Sequence, residues 1–116
     1  VYYVGLPDHP GYELNRQQST GSGAMISFKV AQPEMAKTIL AQVKVISFAE
    51  SLGGVESLIT YPLYQTHEAM PKHLLERTGL DDHLLRLSVG IEDIEDLLED
   101  LDQAFQAAKN YRQLIQ

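Results

Sequence analysis

Two stretches of the chain decide its fold: Glu50-Ser-Leu-Gly-Gly-Val-Glu-Ser-Leu58 and Leu84-Leu-Arg-Leu-Ser-Val-Gly-Ile-Glu-Asp93. The second begins as a short apolar run, which is typical of a buried strand, but it contains one arginine, Arg86. The first is a tight turn on the adjacent glycines Gly53 and Gly54, and it opens directly onto another apolar segment. Adjacent glycines let a backbone approach a ligand closely, although an ordinary connection between strands can use the same two residues.

Arg86 is the first candidate functional residue. Side chains alternate along a strand, so Leu85 and Leu87 point to one face, whereas Arg86 and Ser88 point to the other. A buried guanidinium is costly unless its charge and its donors are matched. The pattern alone leaves three interpretations open: a salt bridge to one of the 16 acidic residues, a strand face open to water, or a site for a bound anion.

The rest of the chain alternates short strands with helices. Hydrophobic periodicity predicts helices at 12–18, 33–43, 72–78 and 93–111, and strands at 24–30, 45–48, 57–61 and 84–89. Pro33 suits the first turn of a helix, Gly79 a helix end, and Asp93 an N-cap. These elements predict an α+β domain, in which helices pack on a small, mainly antiparallel sheet.

Composition narrows the class of protein. The chain has 116 residues, of which 44% are hydrophobic and 22% charged, as expected for one soluble globular domain. The net charge of −7 argues against nucleic-acid binding, and no apolar run reaches the roughly 20 residues of a membrane helix. The absence of cysteine fits a cytoplasmic protein. The start at Val1, without Met or a signal peptide, suggests a segment cut from a longer protein.

An acidic run lies near the C-terminus. It contains seven carboxylates and no base: Glu92, Asp93, Glu95, Asp96, Glu99, Asp100 and Asp102. A metal-binding tract is one interpretation. The favoured one is the solvated face of an amphipathic helix, because apolar residues keep helical spacing through the run, at Ile91, Ile94, Leu98, Leu101 and Phe105.

The two quoted stretches resemble the C-terminal part of the pyridoxal-phosphate (PLP) enzymes of cysteine and methionine metabolism, the cystathionine γ-synthase and cystathionine β-lyase family. The resemblance extends over nearly the whole chain and implies the C-terminal domain of a fold-type I PLP-dependent transferase. It implies an inter-domain connection with a short helix at 1–23 and the small domain at 24–116. The large PLP-binding domain would be absent.

Within this resemblance the candidate residues acquire roles. Arg86 grips the α-carboxylate of the amino-acid substrate, with which a guanidinium can form two parallel hydrogen bonds. Ser51 and Leu52 line the site, and Glu50 influences the choice of substrate. Thr66 is a further substrate-binding candidate, for which helix capping or loop hydrogen bonding is the alternative role.

Two more positions refine the resemblance. Gly54 favours the cystathionine enzymes, because the related sulfhydrylases and methionine γ-lyases tend to carry Asp there. His67 invites a general-base interpretation, but the family uses the cofactor lysine for proton transfer, so we interpret it as structural. The order Thr-Tyr-Pro and then Gln-Thr-His, within 60–67, resembles the γ-synthases and β-lyases more than the γ-lyases.

The chain lacks the motif expected for cofactor attachment. PLP enzymes bind the cofactor through a lysine, which this family sets in a Ser-x-Thr-Lys context. The lysines here have other surroundings: Lys29, Lys37, Lys44, Lys72 and Lys109. We therefore expect PLP to be bound by the large domain and not by this fragment, which on its own would be inactive. We expect no catalytic, cofactor-binding or metal-binding residue in it.

The resemblance implies a PLP-dependent carbon–sulfur lyase or transferase of methionine biosynthesis. A β-lyase splits cystathionine, whereas a γ-synthase makes it from cysteine and an activated homoserine. The implied partners are the amino-acid substrate, the N-terminal PLP domain of the same chain, and further copies in a homotetramer. The alternatives are a cystathionine γ-lyase, or a free-standing, non-catalytic module for amino-acid binding or oligomerisation.

Overall fold

The computed structural model describes residues 1–65 and 67–114, with side chains up to residue 110. The helices are α1 (Tyr12–Gln18), α2 (Pro33–Gln42), α3 (Pro62–Gln65), α4 (Lys72–Thr78) and α5 (Ile94–Leu114). The strands are β1 (Met25–Lys29), β2 (Ser47–Phe48), β3 (Leu58–Thr60) and β4 (Leu84–Ser88). The predicted α+β class is confirmed. No helix of the described part of the chain is long and apolar enough to cross a bilayer.

The four strands form one mixed sheet in the order β1-β4-β3-β2. β4 is antiparallel to both β1 and β3, whereas β2 runs parallel to β3. A single bridge between Tyr2 and Ser27 places the N-terminal segment along the outer side of β1. Arg86 therefore lies on an inner strand, with a neighbouring strand on each side.

Local signals set several element boundaries as the sequence predicts. Pro33 is the first residue of α2, where its missing N–H has no intrahelical partner to lose. Gly79 ends α4 with a φ of 70°, a left-handed conformation that favours glycine. The Oδ1 atom of Asp93 accepts the backbone N–H of Glu95 at 2.9 Å, so Asp93 caps the start of α5.

The strand predicted at 45–48 is shorter than expected, because the Asp100 carboxylate binds backbone N–H groups in its first part. Asp100 is buried, with 4% of its surface exposed, and therefore does not lie on a solvated helix face. Its carboxylate accepts three backbone N–H bonds at 2.8–2.9 Å, from Lys44, Val45 and Ile46. These N–H groups are not available for pairing with a neighbouring strand, so only Ser47–Phe48 pairs as β2.

Helix α3 is an element that the sequence analysis does not predict. Pro62 directly follows the predicted strand at 57–61, and it begins a single helical turn. The Oε1 atom of Gln65 accepts the backbone N–H of Tyr61 at 2.6 Å, which closes that turn. A proline can begin a helix because its fixed φ suits the first helical position.

The hydrophobic core lies between one face of the sheet and the pair α2 and α5. As the strand alternation predicts, Leu85 and Leu87 point into it. The other fully or nearly buried apolar residues of this cluster are Ala36, Ile39, Ile46, Ile59, Tyr61, Leu97, Ala104 and Ala108. Alanines on both helices allow a close approach of α2 and α5. The helices thus cover one face of β4 and leave the face with Arg86 to loops.

The apolar stripe predicted for α5 is partly wrong. Leu101 and Phe105 do pack against the core, but Ile94 and Leu98 are 59% and 54% exposed. Ile91, before the helix, is 82% exposed. The face of α5 that is turned toward the core instead includes Asp100, because its carboxylate binds the backbone at 44–46. A polar anchor therefore helps to set the rotation of the helix.

Candidate functional site

The guanidinium of Arg86 lies on the sheet face opposite the core. Ser27 of β1 and Thr60 of β3 are its partners in the two flanking pairings. Its Nη2 donates to the backbone carbonyl of Glu50 at 3.1 Å and to Oγ1 of Thr60 at 3.3 Å. The arginine of one quoted stretch thus contacts the first residue of the other.

Arg86 has no acidic partner within the described residues. The ion pairs there involve other cations, at Arg16–Glu13, Lys29–Asp81 and His83–Asp82. The Nε atom of Arg86 is buried and has no hydrogen-bond partner in this part of the chain. A buried unpaired donor costs about 1–3 kcal/mol, so native structures rarely keep one without a purpose. The salt-bridge interpretation is wrong, because none of the acidic residues pairs with Arg86 in the described part of the chain.

The glycine turn is held against β4 by a buried serine. Gly53 has a φ of 72°, which favours glycine, and its N–H donates to Oγ of Ser88 at 2.8 Å. Ser88 is 1% exposed, whereas Leu52 in the turn is 52% exposed. Ser51, beside it, is exposed as well. The two candidate lining residues therefore lie at a surface, next to the backbone that contacts Arg86.

A second set of contacts fixes the end of the turn. The buried Ser57 donates its hydroxyl to Oε2 of Glu92 at 2.7 Å, and its backbone N–H donates to Oε1. The N–H of Gly90 donates to the Ser57 hydroxyl at 2.8 Å, and that of Ile91 to the Val55 carbonyl at 2.8 Å. A Cβ at Gly90 would overlap the Val55 carbonyl. Only glycine fits here.

Glu92 is charged in this arrangement. The backbone N–H of Ser57, and then its hydroxyl, hold the pKa of Glu92 below its usual range. Glu92 lies in the acidic run for which the sequence predicts a solvated helix face, and the sequence indicates no role for Ser57. The one feature of the sequence that could have indicated this contact is that Ser57 lies in the first quoted stretch and Glu92 in the second, and the structure brings the two stretches together.

The other candidate residues have different positions. The side chain of Glu50 is exposed, and it is the backbone carbonyl of this residue that contacts Arg86. Thr66 lies outside the described residues. The backbone N–H of His67 donates to the Pro62 carbonyl at 3.0 Å. In the described part of the chain, no group of three or more His, Cys, Asp or Glu side chains could hold a metal ion.

The lysines of the chain lie at its surface. All of them are exposed: Lys29, Lys37, Lys44, Lys72 and Lys109. The hydrogen bond that Lys29 donates to the Asp81 carboxylate raises the pKa of Lys29, which is the opposite of what a nucleophilic amine needs. A mostly apolar concavity of about 490 Å³ lies between α2 and α3, lined by residues such as Phe48 and Tyr64, and Arg86 does not line it.

Comparison with known proteins identifies the class. Residues 1–106 match the model of the Cys/Met metabolism PLP-dependent enzyme family. The chain therefore belongs to this family, as the two quoted stretches predict.

Individual relatives include both lyases and synthases. The chain is 50% identical over 104 residues to the cystathionine β-lyase of Bacillus subtilis and 50% identical over 109 residues to the cystathionine γ-lyase of Sus scrofa. These matches cover 90% and 93% of the chain but 27% of each relative. A cystathionine γ-synthase of Xanthomonas oryzae, solved in complex with cystathionine, superposes with a TM-score of 0.90 and 44% identity, over 94% of this chain and 28% of that one. The chain thus spans little more than a quarter of these proteins.

Proposed function

We propose that this chain is the C-terminal domain of a PLP-dependent transsulfuration enzyme and that it supplies the clamp for the substrate α-carboxylate. The observation that carries the proposal is the guanidinium of Arg86, which meets the glycine turn, has no acidic partner among the described residues and keeps an unpaired Nε. Membership of the family supplies the chemical context.

The clamp acts by orientation. A guanidinium binds a carboxylate through two parallel hydrogen bonds, which fixes the direction of the amino acid as well as its position. PLP, when bound, supplies the electron sink that the reaction needs. Arg86 determines which substrate bond is aligned for cleavage. Ser51 and Leu52 line the site, Glu50 influences the choice of substrate, and Thr66 is a further substrate-binding residue.

The cofactor belongs to the large domain that precedes this domain in the same polypeptide. The exposed lysines of the present chain, without the Ser-x-Thr-Lys context, support this division. The isolated domain is then colourless and inactive. The whole enzyme works in the cytoplasm, in keeping with a chain that has no cysteine. Its homotetrameric state is proposed from the family resemblance alone.

Two reactions are proposed on equal terms for the whole enzyme, cleavage of cystathionine by a β-lyase and its synthesis by a γ-synthase. A γ-lyase is a second candidate, because the β-lyase and γ-lyase relatives are equally similar, at 50% identity. The products separate them. With the uptake of water, a β-lyase converts cystathionine to homocysteine, pyruvate and ammonia, and a γ-lyase converts it to cysteine, a four-carbon oxo acid and ammonia. A γ-synthase forms cystathionine from cysteine and an activated homoserine, whose activating group leaves.

The proposal is tested by Arg86→Ala in the full-length enzyme. Loss of one partner of a close charge pair costs about 2–5 kcal/mol, so kcat/KM should fall between about 30-fold and a few thousand-fold. The amount of bound PLP, measured by its absorbance, should not change. Arg16→Ala is the matched control, because this arginine is exposed and pairs with Glu13 on the same helix.

Two results would contradict the proposal. Unchanged kcat/KM in Arg86→Ala would remove this residue from substrate binding. Tight binding of free amino acids by the 116-residue chain alone, without cofactor, would instead support a free-standing binding module. Calorimetric titration of that chain with cystathionine measures the second result directly.

A further inference from the structure

Thr60 is buried at the centre of the sheet, in the pairing directly beside Arg86. Its side chain is 0% exposed, and it is the β3 residue opposite Arg86 in the β3–β4 register. Directly paired residues of antiparallel strands hold their side chains on the same face, with Cβ atoms about 4.5–5.5 Å apart. The hydroxyl therefore lies within reach of the guanidinium without any contribution from a loop.

The hydrogen bonds around Thr60 have a defined direction. A hydroxyl has one proton, and Thr60 donates it to the backbone carbonyl of Ala49 at 2.8 Å. Only the lone pairs of Oγ1 remain for Nη2 of Arg86, at 3.3 Å. The same Nη2 donates to the carbonyl of Glu50, the residue after Ala49. Thr60 thus ties the guanidinium and the start of the glycine turn to one point on a rigid strand.

We infer that Thr60 is a positioning residue for substrate binding, which fixes Nη2 of Arg86 and so turns the rest of the guanidinium toward the substrate carboxylate. The inference rests on the proposed function of Arg86. With Nη2 held by two acceptors, rotation about the side-chain torsions of Arg86 is restricted, and less ordering remains to be done when substrate binds. Thr60 itself does not touch the substrate.

The test uses the full-length, PLP-loaded enzyme and the variants Thr60→Val and Thr60→Ser. Valine keeps the shape and the strand preference but removes the hydroxyl, whereas serine keeps the hydroxyl. A hydrogen bond to a charged group corresponds to about a 10-fold to 100-fold change, so kcat/KM for cystathionine should fall by that factor in Thr60→Val, mainly through KM. Thr60→Ser should stay within about threefold of wild type. Thr78→Val is the control, because this exposed threonine caps its own helix.

The double variant that combines Thr60→Val with Arg86→Ala decides whether Thr60 positions Arg86 or only stabilises the fold. If Thr60 acts through Arg86, adding Thr60→Val to Arg86→Ala should cause no further loss of kcat/KM. An equal loss in both backgrounds, or no loss in Thr60→Val alone, overturns the inference. Normal activity of Arg86→Ala overturns the proposed function itself, and the inference with it. Where Thr60→Val does not accumulate as folded protein, Thr60→Ala compared with Thr60→Ser gives the same decision.

Discussion

The two faces of β4 are built in opposite ways. On one face Leu85 and Leu87 are 0% and 5% exposed and pack among apolar side chains of α2, α5 and β3. On the other face Arg86 and Ser88 form hydrogen bonds with backbone groups and a hydroxyl, and the Nε of Arg86 has no hydrogen-bond partner among the described residues. One face is fully packed with apolar side chains, whereas the other has a hydrogen-bond donor, the Nε of Arg86, without a partner among the described residues.

Within the five residues of β4, one face therefore stabilises the fold and the other carries the residue proposed to bind the substrate. Apolar burial is the dominant favourable term in folding, and it requires no particular ligand. A partly unsatisfied polar face contributes little to folding, but it provides specific binding to a group that completes its hydrogen bonds. The packed face therefore acts as a rigid support for the arginine on the other side, and substitutions on the two faces should have different effects.

The largest effect on stability is expected for Leu85→Ala. Truncation of a fully buried leucine costs about 2–5 kcal/mol, because apolar contacts are lost and a cavity remains. The free energy of unfolding of the 116-residue chain, from urea titration, should fall by that amount. In the full-length enzyme, kcat/KM per mole of bound PLP should stay near the wild-type value. Leu98→Ala, which truncates an exposed leucine, is the control and should cost less than about 0.5 kcal/mol.

Arg86→Ala should show the reverse pattern in the same two assays, with activity lost and the free energy of unfolding almost unchanged. If Leu85→Ala and Arg86→Ala lowered stability equally and activity equally, the separation between the two faces would not hold.

The packed face is the part of the fold that sequence predicts well. Alternation placed Leu85 and Leu87 together, and single residues such as Pro33 and Gly79 set helix ends, because these signals depend on local backbone geometry. The same alternation turned Arg86 away from the core. The family resemblance added substrate-binding roles for Arg86 and for the residues of the glycine turn, and these roles stay predictions, although the structure does bring Arg86 to the backbone carbonyl of Glu50.

The features that sequence did not reveal depend on contacts between distant residues. Asp100 is one acid among seven in its run, and nothing local distinguishes it from its exposed neighbours. Its partners lie more than fifty positions earlier, at 44–46. Glu92 and Ser57 are likewise 35 positions apart. Side chains that bind a distant backbone have no periodic signature, so only the assembled structure identifies them.

A smaller loss of stability is expected for Asp100→Asn, on the side of the molecule away from Arg86. The amide cannot accept the three backbone N–H bonds as a carboxylate does, and unsatisfied buried donors cost about 1–3 kcal/mol. Urea titration near pH 7 measures the loss. Asp102→Asn, an exposed neighbour on the same helix, should change the free energy of unfolding by less than about 0.5 kcal/mol.

The pH dependence gives a second measurement on Asp100. Burial opposes its charge, but hydrogen bonds from the 44–46 backbone and from Gln103 outweigh this and hold the pKa of Asp100 below its usual range. Its contribution to stability is therefore complete above the unfolded pKa of about 3.9, and is lost as the pH falls through the lower folded value. Wild type should lose more stability than Asp100→Asn as the pH falls below about 3.9. Parallel pH curves would show that the carboxylate is not the anchor.

The smallest effect on folding is expected at the turn beside Arg86, for Gly53→Ala. There is open space around an added Cβ, so the cost comes only from the φ of 72°, and it should be about 1 kcal/mol. Gly21→Ala is the control, since that position is equally open and its φ is not positive. The turn can escape the strain by releasing the Gly53 N–H from Ser88, and this would move the Glu50 carbonyl that holds Arg86. We therefore expect kcat/KM of the full-length enzyme to fall several-fold more than the stability loss alone explains. A fall no larger than that of Gly21→Ala would show that the guanidinium is positioned by the sheet and not by the turn.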